Sequence, residues 1–174
     1  KEMEQLLAAS YNATSVADDT YSILDNAEIE FGEITDADGE KVKISQGRYI
    51  SLVSDADRRV REDAYKTYYA SYKKLKNTYA SLYYGQVKQL QFYANARKYD
   101  STLEAALFPN EIEVSVYENL INAVNNNLEK LHRYVGLRKK CLEVDTFRMY
   151  DIYPPMVKDV KVKTDIVESN IIGF

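Results

Sequence analysis

The stretch DADRRVREDAYKTYYASYKKLKNTYASLYYGQVKQLQFYANARK, residues 55–98, decides the fold class. Its apolar residues Ala56, Val60, Ala64, Tyr68, Tyr72, Leu75, Tyr79 and Leu82, then Val87, Leu90 and Ala94, recur mostly every three to five positions, the period of an amphipathic helix. Ser54-Asp55 offers an N-cap, and no proline intervenes before Pro109. A helix of 44 residues is about 66 Å long at 1.5 Å per residue. A compact domain of 174 residues is only about 40 Å across. Either the helix breaks, with Gly85 the best candidate, or its ends project and another segment covers the exposed stripe.

Outward from this stretch the pattern stays helical, apart from one hairpin. Met3, Leu6, Leu7, Tyr11, Val16, Tyr21, Ile23 and Leu24 predict helices over residues 1–26 with a break near Thr14-Ser15. Ile29, Phe31, Val42 and Ile44 alternate with charged residues around Asp38-Gly39, a turn pair that tolerates positive φ, and predict a hairpin over residues 28–45. A short helix is expected over 101–108, stopped by Pro109, and a second long helical region over 114–143, with weak points at Asn125-Asn126-Asn127 and Gly136. Residues 147–155 read as irregular because Pro154 and Pro155 restrict their predecessors. Thr164-Asp165 caps a last helix over 164–174. The expectation is a mainly α fold of long antiparallel helices with one small β-hairpin at about residues 28–44. That final helix breaks off early and Met3 lies inside the first one, so residues 1–174 are expected to be a single helical segment of a longer polypeptide.

Composition narrows the chemistry. One histidine (His132), one cysteine (Cys141) and no tryptophan leave no His-rich or Cys-rich metal site, no CxxC pair and no disulfide within the chain. His132 and Cys141 are nine residues apart, on opposite faces of one straight helix. Asp36-Ala37-Asp38-Gly39 begins like a calcium loop, but the twelfth position falls on Gly47, where that loop needs glutamate. The net charge of -4 is uneven: residues 1–54 carry 4 basic and 11 acidic side chains, residues 55–98 carry 10 and 4. Eight of 16 tyrosines lie in that basic middle. Their helical spacing suits a helix–helix interface better than base stacking, and no nucleic-acid motif accompanies them. The mixed charges of Asp57 to Lys66 read as a solvated helix face. No apolar run reaches the roughly 20 residues of a membrane span, and a cytoplasmic protein with no membrane or nucleic-acid partner is expected.

Specific strings then become informative. Leu24-Asp25-Asn26-Ala27-Glu28-Ile29-Glu30-Phe31 precedes the hairpin, Gln46-Gly47-Arg48-Tyr49 follows it, and Asp57-Arg58-Arg59-Val60-Arg61-Glu62-Asp63-Ala64 comes next. Ala94-Asn95-Ala96-Arg97-Lys98-Tyr99, Ser101 to Phe108, His132-Arg133-Tyr134 and Met149-Tyr150-Asp151-Ile152-Tyr153 complete the order. In that order they resemble the oligoendopeptidase F group of zinc metallopeptidases, relatives of thimet oligopeptidase. The resemblance implies a larger, mostly helical, channel-forming peptidase fold in which an HExxH helix and a downstream glutamate bind zinc and short peptides are hydrolysed. A chain with one histidine has no HExxH, so no catalytic or metal residue carries over and no cofactor is expected on this chain itself. The implied role is a wall of the substrate channel, inactive alone. Its partners would be oligopeptides, reached through the full-length enzyme, and a catalytic segment or second copy covering the apolar stripe. Arg48, Tyr49, Tyr150 and Tyr153 are the candidate channel-facing residues. A self-standing helical module that grips a partner through its tyrosine stripe is the competing expectation.

Overall fold

The computed structural model describes residues 1–157. The helix expected over 164–174 lies outside the described residues. The fold is mainly α, with one two-stranded antiparallel sheet among the described residues.

Helices α1 (Glu2–Thr14) and α2 (Val16–Ile23) meet at Ser15, whose hydroxyl donates to Asp19 Oδ2 at 3.0 Å. A wider, π-type turn over Leu24–Glu28 ends α2. The hairpin is shorter than its alternating pattern suggests: β1 is Glu33–Thr35 and β2 is Lys41–Lys43, with Ile34 opposite Val42. Ile29 and Phe31 precede it outside the paired strands, and the Phe31 ring stacks on Tyr68 at 4.7 Å. Asp36 Oδ1 accepts the N–H groups of Asp38 and Glu40 at 3.0 and 2.9 Å, and Gly39 takes φ +89°, so side chain and glycine together close the turn.

Gln46–Val53 forms a helix, α3, that the alternating reading gave no reason to expect. Ser45 starts it by accepting the Arg48 N–H at 3.3 Å. The long helical stretch is two helices, α4 (Arg58–Lys74) and α5 (Lys76–Ala96). Asp57, and not Ser54 or Asp55, caps α4, accepting the Arg59 N–H at 2.8 Å. The break falls at Leu75 (φ −99°, ψ 10°), not at Gly85. Lys73 and Lys74 sit favourably at the negative end of α4. The turn also brings Tyr79 within 5.6 Å of the Tyr72 ring and 5.8 Å of the Tyr21 ring.

Gly85 stays helical for a packing reason. A Cβ built on it would lie 3.0 Å from the Ala17 Cβ, so glycine lets α2 and α5 approach closely. Gly85→Val is expected to cost about 1–3 kcal/mol by overpacking. Gly136→Ala, which meets nothing within 4 Å, should be neutral or stabilising by up to about 1 kcal/mol through helix propensity. Urea unfolding of both variants checks the contrast, and equal effects would refute it.

Helix α6 (Thr102–Leu107) runs into a 3-10 turn at Phe108–Asn110. The second long region divides into α7 (Val114–Asn125) and α8 (Leu128–Cys141), the break falling at Asn126-Asn127 while Gly136 stays helical. A 3-10 turn at Met149–Asp151 leads the strap of residues 149–154 back onto α4. The principal core lies between the hairpin, α3 and α4: Phe31, Ile34, Ile44, Tyr49, Val53, Val60 and Ala64. On α5, the Tyr93 hydroxyl meets Ser10 Oγ and Thr14 Oγ1, each at 3.0 Å, and holds α1 alongside.

Candidate functional site

Arg58 and Arg61 are three positions apart and so share one face of α4. That face receives the strap, and the two guanidinium groups close on the fully buried carboxylate of Asp151. Asp151 accepts from Arg58 Nε at 3.1 Å, Arg58 Nη2 at 2.9 Å, Arg61 Nη2 at 3.1 Å and the Arg148 N–H at 2.9 Å. Burial pushes the carboxyl pKa up, but the Arg58, Arg148 and Arg61 hydrogen bonds together outweigh it and hold the group below the ordinary carboxylate value. Arg61 is 3% exposed and also donates to the carbonyls of Asp55, Ala56 and Tyr150, so four of its five donors are used. From α8, Arg138 Nη2 reaches the Asp151 and Pro154 carbonyls at 3.3 and 2.7 Å. Three arginines from two helices thus fasten one short segment.

The expected solvated face of Asp57 to Lys66 is therefore only half solvated. Arg59–Asp63 and Glu62–Lys66 are exposed pairs four residues apart, at 3.5 and 2.6 Å, whereas Arg61 is buried. The sequence spacing of Arg58 and Arg61 was visible, but a carboxylate 90 positions from Arg61 was not foreseeable as their partner.

The fastened strap forms one wall of a cleft of about 460 Å³ lined by Glu62, Tyr65, Lys66, Arg148, Met149 and Tyr150. The Tyr150 ring lies 5.9 Å from Tyr65 and under the Arg58 guanidinium at 5.1 Å. The Lys66 ammonium holds the Glu62 carboxyl below its ordinary pKa against the opposing effect of burial. The lining combines two rings, a thioether and a Glu62–Lys66 pair, and no residue of the cleft is a nucleophile activated by a neighbouring base.

Of the four candidate residues, Tyr150 lines this cleft and is itself 8% exposed. Tyr49 is buried, stacked on Tyr68 at 4.0 Å and edge-on to Tyr69 at 6.2 Å. Its hydroxyl pKa is pushed up by burial first, then by Tyr69, Tyr65 and Tyr153. Tyr153 is half exposed. Arg48 stands apart: it is exposed, and its guanidinium reaches back to the Lys43 carbonyl at 3.4 Å. The tyrosine face of α4 is thus spent largely inside the chain, where Tyr68 links Phe31, Tyr49, Tyr69 and Tyr72.

Among the described residues there is no group of three or more His, Cys, Asp or Glu side chains placed to hold a metal ion. These residues do not fit a zinc site. His132 and Cys141 are both exposed on α8. Helices α7 and α8 also expose a long apolar face: Leu120 is 62% exposed, Val124 54%, Leu131 53% and Leu137 52%. No helix among the described residues is long and apolar enough to cross a membrane.

Known proteins share this fold. Residues 51–171 match the profile of Peptidase family M3. Oligopeptidase PepF of Bacillus subtilis (strain 168) is 42% identical over 166 residues, which are 95% of this chain and 25% of that protein. Group B oligopeptidase PepB of Streptococcus agalactiae serotype III (strain NEM316) is 41% identical over 153 residues, 88% of this chain and 26% of that protein. The crystal structure of oligoendopeptidase-F from Enterococcus faecium superposes with a TM-score of 0.90 at 40% identity, covering 95% of this chain and 32% of that one. The chain spans about a quarter of the length of the curated relatives it matches. With the family profile matching residues 51–171, and sequence and architecture agreeing over 95% of its length, the chain belongs to peptidase family M3, in its oligoendopeptidase F group.

Proposed function

We propose that residues 1–174 form part of the substrate-channel wall of an oligoendopeptidase-F-like zinc metallopeptidase that hydrolyses short peptides, and that this chain does not hydrolyse them by itself. The observation that carries the reading is the superposition on oligoendopeptidase-F, which accounts for 95% of this chain and leaves two thirds of the other unmatched. The uncovered apolar face of α7 and α8 supports it, because burying such a face against further polypeptide is worth roughly 25 cal/mol per Å². In this reading Tyr150 and Tyr153, with Arg48 at the margin, face the channel, whereas Tyr49, expected there too, is a core residue behind them; the zinc ligands belong to the remainder of the enzyme, and the setting is cytoplasmic.

The test compares the 174-residue chain with a version extended through an HExxH helix. Metal analysis and cleavage of a quenched fluorogenic peptide should show no stoichiometric zinc and no turnover for the first, and one zinc with turnover for the second. Peptide cleavage by the isolated chain that survives a chelator would overturn the proposal.

A further inference from the structure

Helix α7 buries none of its residues, and α8 buries Arg138 alone. Between them, nine large apolar side chains are 36% to 62% exposed. A half-exposed leucine or tyrosine leaves roughly 80–100 Å² in water, so the face offers on the order of 700–800 Å². Each partner in a standard stable interface contributes about 800 Å². The face is thus large enough for a lasting partner.

Its shape and charge say which partner. The two helices meet at Asn126 (φ −67°, ψ −12°) and Asn127 (φ −113°, ψ 4°), and they do not pack on each other. The chain therefore passes from α7 into α8 without folding back. Charge is graded along this course. Glu111, Glu113 and Glu118 stand at or before the start of α7, and no lysine or arginine occurs over residues 108–125. Exposed Lys130, Arg133, Lys139 and Lys140 stand on α8, whose one acidic residue is Glu129. A surface that is acidic at one end, apolar along its length and basic at the other complements itself when turned through a two-fold axis.

We propose that a second copy of this chain covers the face, in a closed dimer with α7 of each copy antiparallel to α8 of the other. With the two-fold axis at the Asn126-Asn127 break, residues equally far from the break on its two sides oppose one another. Tyr117 then faces Leu137 of the second copy, Leu120 faces Tyr134 and Val124 faces Leu131. The acidic start of α7 meets the Lys139-Lys140 end of α8, twice per dimer. A parallel pairing would instead set acid on acid and base on base. The proposal concerns residues 1–174 by themselves and does not rest on the function proposed above, which gives the same face to further polypeptide in the longer enzyme.

Sedimentation equilibrium of the 174-residue chain should show a dimer with a Kd in the micromolar range. Leu120→Glu and Leu131→Glu, both at exposed positions, should keep the parent's circular dichroism and raise the Kd at least about 30-fold. Two charge-reversed chains test the pairing. Lys139→Glu with Lys140→Glu, and Glu113→Lys with Glu118→Lys, should each weaken the chain's own dimer about tenfold. Mixed together, they should recover the parent's affinity as a heterodimer, because acid meets base again at both contacts. A parent chain that is monomeric at about 100 μM, or a dimer that neither leucine variant weakens, would overturn the proposal, the occupant of the face then being some other polypeptide or none. Charge-reversed chains that show no preference for each other would overturn the antiparallel pairing. An inactive version extended through HExxH, beside a dimeric 174-residue chain, would refute the proposed function and leave the dimer standing. An active extended version beside a monomeric 174-residue chain would do the reverse.

Discussion

Asp151→Asn is expected to lower the stability of the chain by about 3–5 kcal/mol at neutral pH, the cost of breaking a buried ion pair from one side. The carboxylate is fully buried and takes four donors, and its removal strands Arg61, which is 3% exposed, with its positive charge uncompensated. Arg58 contributes less than its two short bonds suggest, because its side chain is 39% exposed and solvent screens it. The pH dependence carries the sign. The folded-state pKa of Asp151 is depressed, so its stabilisation is fully present above the unfolded value of about 3.9 and is lost as the pH falls through the lower folded value. Urea unfolding at stepped pH should therefore show a constant gap between the parent chain and the variant from pH 8 down to about 5, narrowing below about 4. A gap that stays constant at low pH would show that shape, and not charge, fastens the strap.

Tyr68→Ala should cost about 3 kcal/mol, at the low end for removing a large ring because the residue is only partly buried. Its ring stacks on Phe31 at 4.7 Å and on Tyr49 at 4.0 Å, and contacts Tyr69 and Tyr72 at 5.4 and 5.2 Å. It therefore joins the segment before the hairpin, α3 and α4. Tyr68→Phe keeps the ring and loses only the 3.3 Å hydroxyl contact with Tyr72, for about 0.5–1 kcal/mol. Thermal unfolding of the pair separates ring packing from hydroxyl bonding. Equal losses in the two variants would assign the role to the hydroxyl.

Both positions show what periodicity conveys and what it omits. Tyr68 and Tyr72 stand in the stripe Val60, Ala64, Tyr68, Tyr72, and that stripe is indeed the inner face of α4. The same reading left two outcomes, a helix broken with Gly85 as the best candidate or a helix with projecting ends. The break falls at Leu75, between the Tyr72 and Tyr79 rings that meet across it, and Gly85 is needed for a close helix contact. Helix α3 was missed because eight residues beginning Gln46-Gly47 carry too short a pattern, although Ser45 three positions before Arg48 was a legible cap. In the candidate site, Tyr150 was legible through the Met149 to Tyr153 string. The buried role of Arg61 was not, since charged residues near a helix start ordinarily face water.

Local order, which depends on neighbours three or four positions away, was determined by the sequence alone: a mainly helical chain, one hairpin closed at Asp38-Gly39, weak points near Ser15 and Asn126, and the strings that mark the oligoendopeptidase F group. The single histidine also excluded an HExxH motif from this chain without any structure. Only the tertiary structure decided which buried charge meets which. It alone brought Asp151 to Arg58 and Arg61 and stacked Tyr49 on Tyr68. These are contacts between residues far apart in sequence, and no periodicity encodes them because their energies depend on how the helices cross.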